Sequence, residues 1–523
     1  MIEDGQQRRV ALEGALVVAA VATLLLQIVL ALRRRANRCI NGKHQLLPEG
    51  PPAWPIVGHL PLLMKAPPHQ VLGDLYLKEG YGPIVGLRLG AHRTIVVSNA
   101  EFAKELLLTH DRAFANRIPF VFVDTLLYGF NRAVAFATYN PRWVWIRKMF
   151  TQELLSAKRL QELSHVRYDE VRKLMHRFAH AASRSYSVNV GECLADSIAD
   201  STARLIHSKT LSEVAAELPD LIRRSVTEAV PTLGDFFPFL RFLDAIPKRR
   251  MRYFHRRLDR IFDSIVDERR RVMASCSPPD LPNDFLQVLL SLEKNSDEEE
   301  VVISNHDVKA MMLDIFGASM HTTTATIEWA FAELLRNPDI LQKLRDEVDV
   351  ATKGKTDVVT DEDVQKMPFL ELVVKETLRL HPSLPLLLPR ISSADCKVGK
   401  YTVPKGTQAI VNMWAIARDP EAWENPESFY PERFEGKELD VRGQHYEFLP
   451  FGSGRRMCPG MRLGLSSVHV TLANLVKFFE WELPHGQSPA AMDMSEKIAL
   501  GCSKNVPVLA IPTPRQHVPL AMI

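Results

Sequence analysis

One cysteine of this sequence stands where a thiolate could bind a metal. Cys458 precedes an apolar run that begins near Met461 and reads as a helix. A thiol at a helix N-terminus faces free N–H groups and the positive end of the helix dipole, which favour the thiolate, the form that ligates iron. Gly454 and Gly460 allow the backbone to turn tightly beside a flat cofactor. The alternative is that Cys458 is only a small buried hydrophobe.

The residues around Cys458 form a pattern that favours metal binding. Phe451, Gly454, Arg456, Cys458 and Gly460 together resemble the haem-cysteinate loop of the cytochrome P-450 family. The resemblance implies haem b as the cofactor, with Cys458 as the axial ligand of the iron. It also implies that Arg456 reaches a haem propionate and that Phe451 packs beside the sulfur.

Two further positions match propionate-binding residues of the same family. Trp143 and Arg147 are four residues apart, so on a helix they share a face. A tryptophan and an arginine at this spacing could also form no more than a surface cation–π contact. The resemblance instead implies that both donate to a haem propionate, and that Arg390 contacts a propionate as well.

A long central helix is predicted from Asp307 to Arg336, where Asn337 and Pro338 stop it. Its weakly charged stretch 314–326 should be buried. Residues 318–323 resemble the family's oxygen-activation motif, Ala/Gly-Gly-x-Asp/Glu-Thr-Thr, which implies a local kink and a threonine that helps protons reach iron-bound oxygen.

Thr322 occupies the threonine position of that motif, whereas Ser319 replaces the glycine and His321 replaces the acid. A histidine could still relay protons, because its ordinary pKa lies near neutrality. The alternative is that His321 is simply a hydrogen-bonded buried polar residue. We predict Thr322 and His321 as the catalytic residues.

A carboxylate and two guanidinium groups are predicted to form a buried structural network. Glu376 and Arg379 lie three apart on one helix face, among apolar neighbours. As an exposed pair they would contribute under about 1 kcal/mol. They resemble the family's Glu-x-x-Arg pair, which implies a third partner, Arg433, in the later Pro-Glu-Arg-Phe motif.

Composition and cysteine spacing exclude several classes of protein. The 65 basic and 62 acidic residues give a net charge of +3, too small to indicate a nucleic-acid partner. The six cysteines are scattered without a C-x-x-C pair, which argues against a disulfide framework or a zinc site and favours a reducing compartment.

The N-terminus is predicted to anchor the chain in a membrane. Residues 14–32 carry no charge, and as a helix they would span about 28 Å, close to the hydrocarbon thickness of a bilayer. The arginines that follow place the rest of the chain in the cytosol. A cleaved signal peptide and a buried core helix are the alternatives. We divide the chain into an anchor (1–35), a basic and proline-rich hinge (36–58) and a catalytic domain (59–523).

The fold class expected from these patterns is mainly α with small β-sheets, a single large helical domain. Strands are predicted at 84–89 and 94–98, around a turn at 90–92, and alternating strands between 394 and 412. Residues 116–137 form an aromatic, glycine-punctuated loop, which the resemblance places over the distal haem face. Residues 236–239 form an apolar patch that could belong to the core, to a membrane-facing surface or to a channel lid. Residues 295–300 are predicted to form an acidic, flexible connector.

The sequence is consistent with three functions. The first is a monooxygenase that hydroxylates a small apolar or aromatic metabolite with O₂ and electrons from NADPH–cytochrome P-450 reductase, in the endoplasmic reticulum membrane. The second is a haem-thiolate isomerase or dehydratase that needs no O₂, and the third a non-enzymatic haem sensor. Residues such as His110 to Arg117 look similar to plant microsomal hydroxylases of flavonoids and other phenylpropanoids, which favours the first.

Overall fold

A computed structural model describes residues 47–215, 217–277, 281–294, 303–499 and 501–515. Long helices pack around one central helix, and small sheets lie beside them, so the predicted mainly helical class is confirmed. The predicted anchor (1–35) and the acidic connector (295–300) lie outside the described residues. Among the helices that are described, none combines the length and apolar character needed to cross a bilayer.

The helices fall mainly between residues 141 and 380, and one more long helix follows the Cys458 loop. Their bounds are α1 Pro68–Leu77, α2 Ala100–Lys104, α3 Val121–Thr125, α4 Pro141–Met149, α5 Ala157–Glu162, α6 Ser164–Ala182, α7 Val190–His207, α8 Leu211–Val214, α9 Leu218–Glu228, α10 Leu233–Phe236, α11 Ala245–Ser275, α12 Phe285–Lys294, α13 Asn305–Arg336, α14 Pro338–Ala351, α15 Asp361–Val364, α16 Pro368–Leu380, α17 Met413–Ile416 and α18 Met461–Phe478.

The strands form four small sheets. Their bounds are β1 Ile84–Leu89, β2 His92–Val97, β3 Asn116–Arg117, β4 Val188–Asn189, β5 Arg390–Ile391, β6 Cys396–Val398, β7 Tyr401–Val403, β8 Gln408–Val411, β9 Phe479–Glu482, β10 Glu496–Ile498, β11 Cys502–Lys504 and β12 Leu509–Pro514. The largest sheet has the order β1-β2-β8-β5-β3, with only β2 and β8 parallel. The others pair β10 with β11, β6 with β7, and β12 with both β4 and β9.

The predicted first hairpin exists, but its second strand starts two residues early. Leu89 pairs with His92, so the turn consists of Gly90 and Ala91 alone. Gly90 adopts a φ of +61°, which glycine reaches without steric cost. The predicted turn at 90–92 and the predicted strand start at Thr94 are therefore wrong, because strand pairing continues as far as His92.

The central helix α13 was predicted within two residues of its start. Ser304 caps its N-terminus by accepting a hydrogen bond from the Asp307 N–H, while the Asp307 carboxylate accepts one from the Ser304 N–H. Asn337 and Pro338 end it as expected. One large apolar cluster packs α13 against α6, α16 and α18, and a second packs it against α7, α11 and α12.

Candidate haem-binding site

Cys458 lies just before the N-terminus of α18. The Cys458 N–H donates to the Phe451 carbonyl at 2.9 Å, which folds the loop back on itself. Burial raises the pKa of the thiol, while hydrogen bonds from the Gly460 and Met461 N–H groups and the charge of Arg147 act in the opposite direction. The residue is nevertheless exposed, so open space, here called the gap, lies beside it.

The loop before Cys458 needs glycine at position 454. Gly454 has a φ of +68°, and a side chain there would come within 2.6 Å of the Leu107 carbonyl oxygen. Gly460 lies next to the sulfur, since a Cβ on it would be 3.9 Å from the Cys458 Sγ. Phe451 is half-buried against the core that surrounds α18. Gly454 therefore shapes the loop, and Gly460 flanks the thiol.

Accessible surface is also found on the middle of α13. Ala318 is exposed and Gly317, Ser319 and His321 are half-buried, although Phe316 and Thr323 on either side of them are buried. A Cβ added to Gly317 would meet nothing within 4 Å. α13 packs against α18, the helix that Cys458 precedes, so we assign this surface to the same gap. The predicted burial of 314–326 is thus only partly correct, because residues 317–322 keep accessible surface.

Three buried arginines and the half-buried Arg147 gather beside the Cys458 loop. Burial, reinforced by the charges of Arg390, Arg456 and Arg147, holds the pKa of Arg117 well below its ordinary value. Burial likewise lowers the pKa of Arg456 to about 9 and that of Arg390 to about 10. Their hydrogen bonds go to neutral backbone carbonyls, for example from Arg456 Nε to the Ala115 oxygen at 2.7 Å.

This arginine cluster (Arg117, Arg147, Arg390 and Arg456) fits the acidic edge of a haem. Among the described residues, the only carboxylate that forms an ion pair with it is Asp111, 3.8 Å from Arg390 and also bonded to Arg455 at 2.6 Å. Buried charges are stable only when they are paired. The excess of positive charge therefore matches the two propionates of haem b, and the thiolate donor on the same loop matches its iron.

Trp143 lies within this cluster, as the sequence predicts. Asn140 caps α4 by accepting from the Trp143 N–H at 2.8 Å, and the Trp143 Nε1–H donates to the Val134 carbonyl at 2.9 Å. The Arg456 guanidinium lies 3.9 Å from the centre of the Trp143 ring, so the tryptophan's cation–π partner is Arg456. Arg147 donates to the Met457 carbonyl, next to Cys458.

Asp314 and Arg117 belong to the site, although the sequence did not predict them as site residues. The Asp314 carboxylate, on α13, accepts the Val134 N–H, and burial raises its pKa to about 7 although the N–H groups of Val134 and Ala135 oppose the shift. Arg117 Nε donates to the Ala135 carbonyl at 3.1 Å. Segment 133–137 thus joins α13 to the arginine cluster. No periodicity or spacing in the sequence marks either side chain.

Ser319 and Thr322 of the oxygen-activation motif make different contacts. The Ser319 hydroxyl contacts that of Thr202 on α7 at 3.0 Å, so serine replaces glycine on a side of α13 that packs against another helix. The Thr322 hydroxyl donates to the Ala318 carbonyl at 2.7 Å. α13 stays helical throughout, and such bonds to the preceding turn bend a helix without interrupting it.

The buried network predicted around Glu376 is present. Glu376 accepts from Arg379 Nε at 2.7 Å and from Arg433 Nε at 2.9 Å, and all three side chains are buried. The Tyr430 N–H adds a further bond to the carboxylate at 2.9 Å. The remaining guanidinium N–H groups bond to backbone carbonyls of 417–428.

A second group of ligand-type side chains (His69, Glu496 and Cys502) lies elsewhere, and hydrogen bonds already link its histidine and its carboxylate. Glu496 accepts from His69 and from Gln70, each at 2.8 Å. Burial and the charge of Glu496 raise the pKa of the Cys502 thiol, so the thiol stays protonated. This thiol has no arginine cluster of its own beside it, so Cys458 fits a haem better.

Comparisons with known proteins agree with the site. The family model described as cytochrome P-450 matches residues 48–507. A flavonoid 3′-monooxygenase of Crocosmia x crocosmiiflora is 38% identical over 511 residues, 95% of this chain and 97% of that protein. A flavonoid 3′-monooxygenase of Arabidopsis thaliana is 36% identical, over 95% of this chain and 96% of the other.

Relatives with other printed activities are similar at nearly the same level. A desmethyl-deoxy-podophyllotoxin synthase of Sinopodophyllum hexandrum is 36% identical over 93% of this chain and 95% of its own length. Among solved structures, a zebra fish cytochrome P-450 with progesterone superposes with a TM-score of 0.73 at 26% identity. That match covers 86% of this chain and all of the other.

Proposed function

This chain belongs to the cytochrome P-450 family, and from that premise we propose that it hydroxylates a small aromatic or apolar plant-type secondary metabolite. Family membership makes it a monooxygenase that binds haem b through a cysteine thiolate. The proposed partners are O₂, NADPH–cytochrome P-450 reductase and membrane lipid. The observation that carries the proposal is the buried arginine cluster beside the Cys458 thiol.

Each side chain has a proposed task in this reaction. Cys458 would ligate the iron through Sγ, and the arginine cluster would hold the propionates, with Trp143 packed on the Arg456 guanidinium. Haem b, when bound, supplies the activation of O₂. The Thr322 hydroxyl would hold a proton-donating water and His321 would relay protons to it. Leu387 and Leu388, both half-buried, would help to line the substrate side of the gap.

The test of this function is a cofactor-dependence assay on purified protein with a plant reductase. Candidate flavonoids and phenylpropanoids are incubated with and without NADPH and under argon. Hydroxylated product that needs both NADPH and O₂ supports the proposal. Product formed without either would instead favour the isomerase or dehydratase, and spectral binding of haem without any turnover would favour the sensor.

The Thr322→Ala variant is expected to lose coupling while it still binds substrate. The substrate-induced spin shift of the haem should persist, because the change removes one hydroxyl from the wall of the gap. NADPH oxidation should continue, but product formed per NADPH should fall about tenfold or more, with peroxide made instead.

The neighbouring variant Thr323→Ala is the matched control, because Thr323 is buried and outside the half-buried stretch. It should keep the parent's ratio of product to NADPH. A Thr322→Ala protein that also kept the parent's ratio would remove Thr322 from proton delivery.

The proposed location is the endoplasmic reticulum membrane, with a single anchor in residues 1–35 and the catalytic domain in the cytosol. Exposed apolar side chains support a membrane-facing surface in the domain itself: Trp54, Met64, Phe239, Phe242 and Ile246 are 64%, 84%, 67%, 71% and 73% exposed. The segments that precede and include these side chains meet at the β1–β2 turn. There the Gly90 N–H donates to the Val57 carbonyl and the Ala91 N–H donates to the Phe236 carbonyl.

Removal of residues 1–36 is expected to weaken membrane attachment without loss of haem. Full-length protein should stay in the membrane pellet after an alkaline carbonate wash. A protein that starts at Asn37 should leave it, because the exposed apolar surface lies on the membrane but does not span it. The truncated protein should show the parent's haem content per polypeptide, and a loss of haem would mean that the segment belongs to the fold.

A further inference from the structure

The His321 imidazole has no partner in the protein that surrounds it. Within the described parts of the chain, the ring makes no hydrogen bond and no ion pair, and burial alone lowers its pKa. The side chain is nevertheless only half-buried. An interior imidazole with accessible surface and no protein partner is available to a ligand, because buried polar groups are otherwise hydrogen-bonded.

The ring is held against the backbone that leads into β11. A Cβ on Gly501 would lie 2.9 Å from His321 Nδ1 and 3.0 Å from its Cε1, closer than side-chain carbons come. Glycine at 501 therefore lets the chain pass directly beside the imidazole. The nearby Ser383 carbonyl is occupied, since it accepts the Cys502 N–H at 2.8 Å.

The surroundings define what such a ligand could be. A neutral imidazole offers one donor and one acceptor. Asp314 lies seven residues earlier on α13, about 10 Å along the axis, and its carboxylate already receives the Val134 N–H. The aromatic cluster of Phe120, Phe122 and Phe136 adjoins α13 through segment 133–137, which bonds to Asp314. The site therefore suits a neutral, largely aromatic molecule better than a cationic one.

We propose that His321 hydrogen-bonds a phenolic hydroxyl of a neutral aromatic substrate and so orients it in the gap beside Ala318. This inference rests on the proposed monooxygenase function and adds the substrate class and a polar anchor. It gives His321 a binding role beyond the relay role suggested by the motif. The two roles differ in what they change, since an anchor alters the dissociation constant and a relay alters coupling.

The test uses flavanone and 4′-hydroxyflavanone, which differ by one phenolic hydroxyl. Each is titrated into the haem-loaded full-length protein, and the spin-state shift gives the dissociation constant without reductase or turnover. The parent should bind the hydroxylated compound about tenfold more tightly, the effect expected of one buried hydrogen bond. His321→Ala should bring the ratio of the two constants to about one.

Two further variants keep the result interpretable. His321→Gln retains a donor and an acceptor, so it should restore most of the preference if hydrogen bonding is the cause. Ser319→Ala changes the side of the same helix that contacts Thr202, and it should keep the parent's ratio.

The inference is overturned if His321→Ala keeps the parent's preference, or if the parent binds neither compound or binds both equally. Failure of the proposed function is a separate result, namely the absence of NADPH- and O₂-dependent product from any substrate. A His321→Ala protein with an unchanged preference but poorer coupling would identify His321 as a relay alone.

Discussion

Replacing Cys458 by serine is expected to abolish the absorption band at about 450 nm that reduced, CO-bound haem shows when a cysteinate is its ligand. A serine hydroxyl does not ionise in this setting, so the Gly460 and Met461 N–H groups would face a neutral oxygen in place of a thiolate. Monooxygenase turnover should fall below detection. The measurement is a CO difference spectrum of the purified variant, with haem content determined separately.

Cys502→Ser is the matched control for that experiment. Cys502 is buried, with 3% of its surface exposed. Its thiol, however, lies beside the Glu496 carboxylate and apart from the arginine cluster. The control should keep the band at full intensity per haem. If Cys458→Ser retained the band and Cys502→Ser lost it, the iron ligand would be Cys502 and the haem would occupy another part of the fold.

The parts of the site that could be predicted from the sequence are those fixed by local geometry. Trp143 and Arg147 share a face because four residues make about one helical turn, and α4 brings both to the Cys458 loop. Glu376 and Arg379 are neighbours for the same reason, and the end of α13 could be placed from Asn337 and Pro338. The roles of these residues came from the family pattern and not from the spacing.

The parts that could not be predicted depend on contacts between distant segments. Arg117 comes from a two-residue strand, and its place in the arginine cluster arises only when β3 pairs with β5 beside Arg390. The orientation of Ser319 toward Thr202 depends on how α13 packs on α7. The space for the His321 ring depends on the missing side chain of Gly501, which is 180 residues later in the chain.

Removing the Glu376 carboxylate is expected to prevent the protein from folding around its cofactor. In Glu376→Ala the guanidinium groups of Arg379 and Arg433 stay buried without their shared anion, and stranding such charges costs on the order of 3–5 kcal/mol. That loss is a large fraction of the stability of an ordinary domain. The variant should be recovered as aggregate or as protein without haem, measured by haem absorbance per polypeptide and by thermal unfolding.

Glu371→Ala separates burial from the mere loss of an acidic residue on the same helix. Glu371 also bonds to a basic side chain, Lys375, at 2.8 Å, but it is 58% exposed, and such pairs contribute under about 1 kcal/mol. This control should bind haem normally and unfold within a few degrees of the parent. Normal haem content in Glu376→Ala would contradict the buried network, since solvent or a rearranged loop would then have to neutralise both arginines. The contrast between the two variants depends only on where each carboxylate lies, because both remove a glutamate from α16.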